Sequence, residues 1–162
     1  MIDIVNNILS LEKRTKCVED LQPLLTNIPY FPGRQTHSTL HLHPDFNELK
    51  ETITQKVITS VGEDLVLIRM WAKWISGKRE HMNWHNHLPY DYSVVYYLKV
   101  PLFMKNGTLF EKRGLFRSEE NSLIVFPSKL NHSSPSYFWK GDRYVISADF
   151  MSQSKADFIT NK

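Results

Sequence analysis

One cysteine in 162 residues, Cys17, excludes an intramolecular disulfide and any thiolate cluster for zinc or an iron–sulfur centre. Any metal must therefore be held by nitrogen and oxygen. No apolar run approaches the ~20 residues needed to span a bilayer. The opening Met1-Ile2-Asp3-Ile4-Val5 lacks the basic-then-apolar order of a secretory leader. The chain reads as soluble and cytoplasmic, without a membrane partner. Charge of one sign is not in excess either: 20 Lys and Arg face 17 Asp and Glu, scattered without a stripe or tail, so nucleic acid is not indicated as a partner. Repeats, low-complexity stretches and linkers are absent. With 41% hydrophobic residues available for a core, a single domain over 1–162 is expected, its N-terminal helical part at about 1–62 and its β core at about 63–152.

Ser10 is a good N-cap, and Leu11, Val18 and Leu21 recur at helical spacing, which predicts a helix from about Leu11 to Gln22. Pro23, Pro29 and Pro32-Gly33 interrupt regular structure. A second helix is expected to open at Pro44 and close at Gly62, with Phe46, Leu49, Ile53 and Val57 as its buried stripe. From residue 65 the period becomes two: Val66, Ile68, Met70, Ala72 and Trp74 share one face, and Arg69, Trp71 and Lys73 the other. Further strands are predicted over Met82–His87, Ser93–Val100, Thr108–Glu111, Ser122–Phe126 and Arg143–Phe150, with turns at Asn106-Gly107 and Gly141-Asp142. The class is α+β: helices outside an antiparallel sandwich or jelly-roll barrel, whose mouth suits a ligand.

Seven histidines fall in three places: His37, His41 and His43 early, His81, His85 and His87 together, and His132 alone. On a strand, residues i and i+2 project from one face about 6 to 7 Å apart, so two imidazoles can converge on one metal ion. His85 and His87 satisfy this, and His132, after the apolar run Ser122–Phe126 and the Pro127-Ser128 turn, is the candidate third ligand. His41-Leu42-His43 has the same spacing but precedes a helix-opening proline, and is read as structural.

His85-Asn86-His87, Ser93-Val94-Val95-Tyr96-Tyr97-Leu98, Asn106-Gly107-Thr108-Leu109, Val125-Phe126-Pro127-Ser128, His132 and Arg143-Tyr144-Val145-Ile146-Ser147 together resemble the core of the 2-oxoglutarate/iron(II) oxygenases, over about residues 65 to 150. The resemblance implies a double-stranded β-helix. It also implies Fe(II), 2-oxoglutarate as cosubstrate, O2, and a small-molecule or protein side-chain substrate. In that family a His-x-Asp/Glu pair and a distal His bind iron, and an Arg some ten residues later pairs with the far carboxylate of 2-oxoglutarate. Arg143, eleven positions after His132, takes that role by resemblance, with Ser147 and Tyr97 sharing the carboxylate. A guanidinium suits it because it donates two parallel charge-assisted hydrogen bonds.

Two departures stand out: His87 occupies the usual acidic position, and Val145 replaces a frequent serine. We expect His87 to complete the site rather than Asp91, which lies beyond the Leu88-Pro89 bend. Trp84 and Tyr90 flank the histidines and are candidates for either a substrate pocket or packing. Two other readings compete: a three-histidine, cupin-like metal dioxygenase that uses no 2-oxo acid, and a non-catalytic β-barrel binding module. Nothing in the sequence names the substrate or the oligomeric state.

Overall fold

The computed structural model describes residues 1–27, 33–76, 83–101, 107–134 and 141–160. Of the residues singled out in the sequence, Pro29, Pro32, His81, Met82 and Asn106 lie outside them. Helix α1 spans Leu11–Leu21, and the Ser10 hydroxyl accepts the Lys13 amide at 3.3 Å, capping one of the four amides a helix start leaves unpaired. A 3-10 turn over Pro44–Phe46 leads into α2, Asn47–Val61. Gly62 ends α2 with φ 75°, a left-handed conformation that glycine adopts without a Cβ penalty, and its amide donates to Ile58 O at 2.8 Å. The stripe Phe46, Leu49, Ile53 and Val57 is buried as the spacing predicts. A short third helix, α3 (Gln153–Thr160), was not evident from the sequence.

The described residues form ten strands, in chain order β1 (Asp3–Asn6), β2 (Thr26–Asn27), β3 (Arg34–Gln35), β4 (Leu65–Ser76), β5 (Tyr92–Lys99), β6 (Gly107–Phe110), β7 (Gly114–Arg117), β8 (Ser122–Pro127), β9 (His132–Ser133) and β10 (Asp142–Ser152). They form a seven-stranded sheet in the order β1-β8-β5-β10-β4-β3-β2 and a three-stranded sheet in the order β7-β6-β9, with antiparallel pairing throughout. The long central strand β10 has β5 on one side and β4 on the other. Its residues alternate between two cores. Ile146 and Ala148 join Met70, Ala72 and Tyr96 in a cluster with Leu21, Leu49, Ile53 and Val57 of the helices. Val145 points the other way, into a cluster of Tyr97, Ile124 and Phe126 with Phe110 of the small sheet. Each fully buried apolar side chain of this kind contributes about 1.5 to 3 kcal/mol relative to exposure.

Two sequence expectations fail for local reasons. The stretch to His87 is not a regular strand: between residues 83 and 87 one isolated bridge, His85 to His132, is made. The Asn86 side chain accepts from the Leu88 amide at 3.3 Å, and the Tyr90 amide donates to His87 O at 3.0 Å, so the backbone turns there instead of extending a ladder. Along β4 the expected face holds for Met70, Ala72 and Trp74, but Leu65 and Leu67 replace Val66 and Ile68 in the helix-side core. A register irregularity opposite Asp149/Phe150 inserts one residue at Ile68 and flips the alternation.

Candidate metal centre

Alternation along β10 that sends Ile146 and Ala148 to the helices puts Arg143, Val145, Ser147 and Asp149 on the face toward the small sheet. The histidine loop is tied to that sheet by reciprocal backbone hydrogen bonds, His85 N to His132 O at 3.1 Å and His132 N to His85 O at 2.8 Å. His87 N donates to Ser128 O at 2.9 Å. These bonds bring three rings together, with centroids 5.3 Å apart for His85 and His87, 4.3 Å for His85 and His132, and 5.0 Å for His87 and His132. One ligand nitrogen from each lies within 4.8 Å of the others. The isolated bridge at His85 and the His87 N–Ser128 O bond thus deliver the convergence of the two imidazoles without a full strand.

Each ring uses its Nδ1 behind the cluster. His85 Nδ1 faces Asn83 O at 2.8 Å and His132 Nδ1 faces Leu130 O at 3.0 Å. A carbonyl can only accept, so both Nδ1 atoms carry the proton, and in the neutral ring Nε2 holds the lone pair. His87 Nδ1 lies 2.6 Å from Oδ1 of the fully buried Asp149. Burial holds His85 below its usual pKa, with the charges of His87 and Lys73 adding to it; burial, with His85, His87 and Lys73, pushes His132 down to about 3. Both are neutral at physiological pH, the form that binds metal. Three nitrogen donors within 4.8 Å of one another, two on the buried rings of His87 and His132 and one on the half-buried His85, fit a divalent transition-metal ion.

Beside the histidines a cavity lies between the two sheets, walled by Trp71, Ile75, Val95 and Val145, with Thr108, Ser133, Ser134 and Ser147 as hydroxyl donors and Lys73 and Arg143 as cations. Among the described residues no carboxylate lies in its wall. Lys73 is pushed down to about 8, by burial first and by the Arg143 charge second. Such a lining attracts an anion and fixes it by oriented hydrogen bonds.

Among sequences, no protein family and no curated protein matches the chain. Among solved structures the likeness extends over nearly its whole length. HygX from Streptomyces hygroscopicus, with nickel and 2-oxoglutarate bound, superposes at TM-score 0.71 with 12% identity, covering 94% of this chain and 83% of HygX. An oxidoreductase of the 2OG-Fe(II) oxygenase family from Burkholderia pseudomallei gives 0.71 at 12% identity, covering 93% and 84%. A prolyl hydroxylase from Trichoplax adhaerens, in complex with a hypoxia inducible factor peptide, gives 0.70 at 13% identity, covering 97% and 86%. The chain has the fold of the 2-oxoglutarate/iron(II) oxygenases.

Within this oxygenase fold the residues singled out in the sequence divide. His85, His87 and His132 come together, and Arg143 and Ser147 line the adjoining cavity. Tyr97 stands behind it: its ring lies under the Arg143 guanidinium at 5.3 Å and its hydroxyl bonds to Thr108 at 2.7 Å. Asp91 lies outside the cluster; one of its oxygens pairs with Lys155 at 2.7 Å and the other accepts the Ser152 amide at 2.9 Å. His37 and His43 line a separate surface hollow with Thr36 and Leu40, and His41 joins no cluster among the described residues. Tyr90 stacks on Arg69, 4.5 Å from its guanidinium, whereas Trp84 is half-exposed. Sequence reasoning missed Lys73 as a cavity residue and Asp149 altogether. Both had a signal, a charged residue breaking an apolar alternation on the face that carries the candidate site.

No described helix is long and apolar enough to cross a membrane.

Proposed function

We propose that the chain is a non-haem iron(II), 2-oxoglutarate-dependent oxygenase, a hydroxylase in its simplest form, with His85, His87 and His132 as the metal ligands. The supporting observation is the junction of the three converging imidazoles with a cavity in which, among the described residues, the charged side chains are the cations Lys73 and Arg143. Iron(II) bound there supplies dioxygen activation coupled to oxidative decarboxylation of the 2-oxo acid to succinate and carbon dioxide. The protein's part is positional. His85, His87 and His132 would hold the ion beside the cavity, where cosubstrate could reach it. Arg143 and Ser147, four residues apart on one face of β10, bind the far carboxylate, and Tyr97 and Thr108 hold the guanidinium side of the cavity in place. Trp71, Ile75, Val95 and Val145 exclude water from the same space.

We read the two facing sheets as the double-stranded β-helix of the superfamily, with α1 and α2 on its outer face, in one domain that works in the cytoplasm. The substrate is a small molecule or a protein side chain. Both kinds occur on this fold, since HygX has been solved with hygromycin B and the Trichoplax enzyme with a peptide. The test is an anaerobic titration of the iron(II)-loaded protein with 2-oxoglutarate. A weak visible charge-transfer band saturating at one equivalent is the expected result. Iron binding without that band would favour the three-histidine dioxygenase that uses no 2-oxo acid, and no iron binding would leave the binding module.

A further inference from the structure

His87 stands where a carboxylate would offset part of the charge of a divalent ion, so three neutral imidazoles leave that charge whole. We propose that Asp149 is the carboxylate of this centre displaced one step outward, behind His87, which it orients and makes a more anionic donor. The inference rests on the three-histidine metal centre. Asp149 has no solvent exposure, and its register across β10 places it between Arg69 of β4 and Ser93 of β5. Its Oδ1 lies 2.6 Å from His87 Nδ1 and 2.6 Å from the Ser93 hydroxyl, while Oδ2 takes the Arg69 guanidinium. Ser93 is in turn bonded to Ser128 at 2.6 Å, and His87 N donates to Ser128 O, so one small network fixes both ends of His87.

A purely structural role would make Asp149 the buried end of an ion pair with Arg69. That pair does not require the aspartate's inner oxygen to face an imidazole. Arg69 is 35% exposed and stacks 5.0 Å from Trp71 and 4.5 Å from Tyr90, so its charge is balanced at the rim while Oδ1 points inward. A carboxylate accepting from a ligating histidine's far nitrogen fixes the ring's tautomer and raises its basicity, and loss of such a partner typically lowers metal affinity about 10- to 100-fold.

The experiment measures cobalt(II) affinity and the cobalt visible spectrum, under anaerobic conditions at neutral pH, for the wild type, Asp149→Asn, His87→Asp and the double variant. Asp149→Asn should weaken binding about 10- to 100-fold and shift the cobalt band. In the His87→Asp background two carboxylates would face each other, so the same substitution should leave affinity unchanged or raise it. An equal loss in both backgrounds, or wild-type affinity in a folded Asp149→Asn, overturns the proposal while leaving the metal centre standing. Wild-type protein that binds no cobalt overturns both. Should Asp149→Asn not fold, the zinc-loaded wild type decides by nitrogen-15 NMR. The His87 Nδ1 proton should lie well downfield of those of His85 and His132, which donate to carbonyls, and three coincident resonances would refute the assignment.

Discussion

At the scale of single residues, His87 and Asp91 make opposite demands on one short loop. His87 is buried with its Nδ1 on a carboxylate and its other nitrogen among the converging donors, whereas Asp91 ties the loop to α3 and the end of β10. His87→Ala should therefore abolish stoichiometric cobalt(II) binding, and Asp91→Ala should retain it. The partly exposed pair with Lys155 is worth about 1 kcal/mol or less, so Asp91→Ala should lower the unfolding free energy only slightly. Calorimetric titration and denaturant unfolding of both variants check this, and an emptied site in Asp91→Ala would make the centre a two-histidine, one-carboxylate one. Arg143 gives the second contrast. Losing a buried charge-assisted partner costs roughly 2 to 5 kcal/mol, so Arg143→Ala should raise the 2-oxoglutarate dissociation constant about thirtyfold or more with metal occupancy unchanged. Arg143→Lys should recover only part of that loss, because an ammonium cannot make the paired, parallel bonds. Unchanged cosubstrate affinity would remove Arg143 from the reading.

Elements were legible where one periodicity governed them. The four-residue stripe of α2 and its Gly62 stop, the Ser10 cap, and the cores of β5, β8 and β10 follow directly from spacing and cap chemistry. What escaped is set by tertiary partners. β1 exists because Asp3–Asn6 finds the free edge of β8, and β9 is two residues held by β6, so neither has a pattern of its own long enough to read. The bulge in β4 and Asp149 beside it come from pairing across three strands, which no single-strand alternation encodes. Gly107 shows the same dependence and allows a test. Its φ of 152° and a Cβ position 2.1 Å from Phe116 O leave no room for a side chain where β6 meets β7. Gly107→Ala should cost more than about 2 kcal/mol of stability by strain and lost pairing. Because β6 also bears Thr108 in the cavity wall, weaker 2-oxoglutarate binding should accompany it. A neutral effect in urea unfolding would contradict the close approach.

For the whole molecule, the site's burial sets the acid stability of the metal-free fold. Burial and neighbouring charge push His132 down to about 3 and also lower His85, while an unfolded histidine titrates near 6.5. Between those values the unfolded chain binds more protons than the folded one, so stability rises with pH and is fully present only above about 6.5. Asp149 acts in the same direction at lower pH. Burial alone would raise it, but hydrogen bonds from His87, Ser93 and Arg69, with the charge of His87, hold it below the usual carboxylate range, so its contribution disappears as the pH falls beneath about 4. His132 alone should cost the apo protein on the order of 2 kcal/mol between pH 6.5 and 5, at about 1.4 kcal/mol per unit. The measurement is urea unfolding of apo wild type and His132→Gln at pH 7, 6 and 5. The wild type should lose stability more steeply, and the two curves should converge as the pH falls. A divalent metal at a hundredfold excess over its dissociation constant should add about 2.7 kcal/mol to the wild type at pH 7 and nothing to the variant that cannot hold it. Parallel pH profiles would mean that the fold accommodates a charged imidazole at residue 132, which a donor set built to meet a cation should not do.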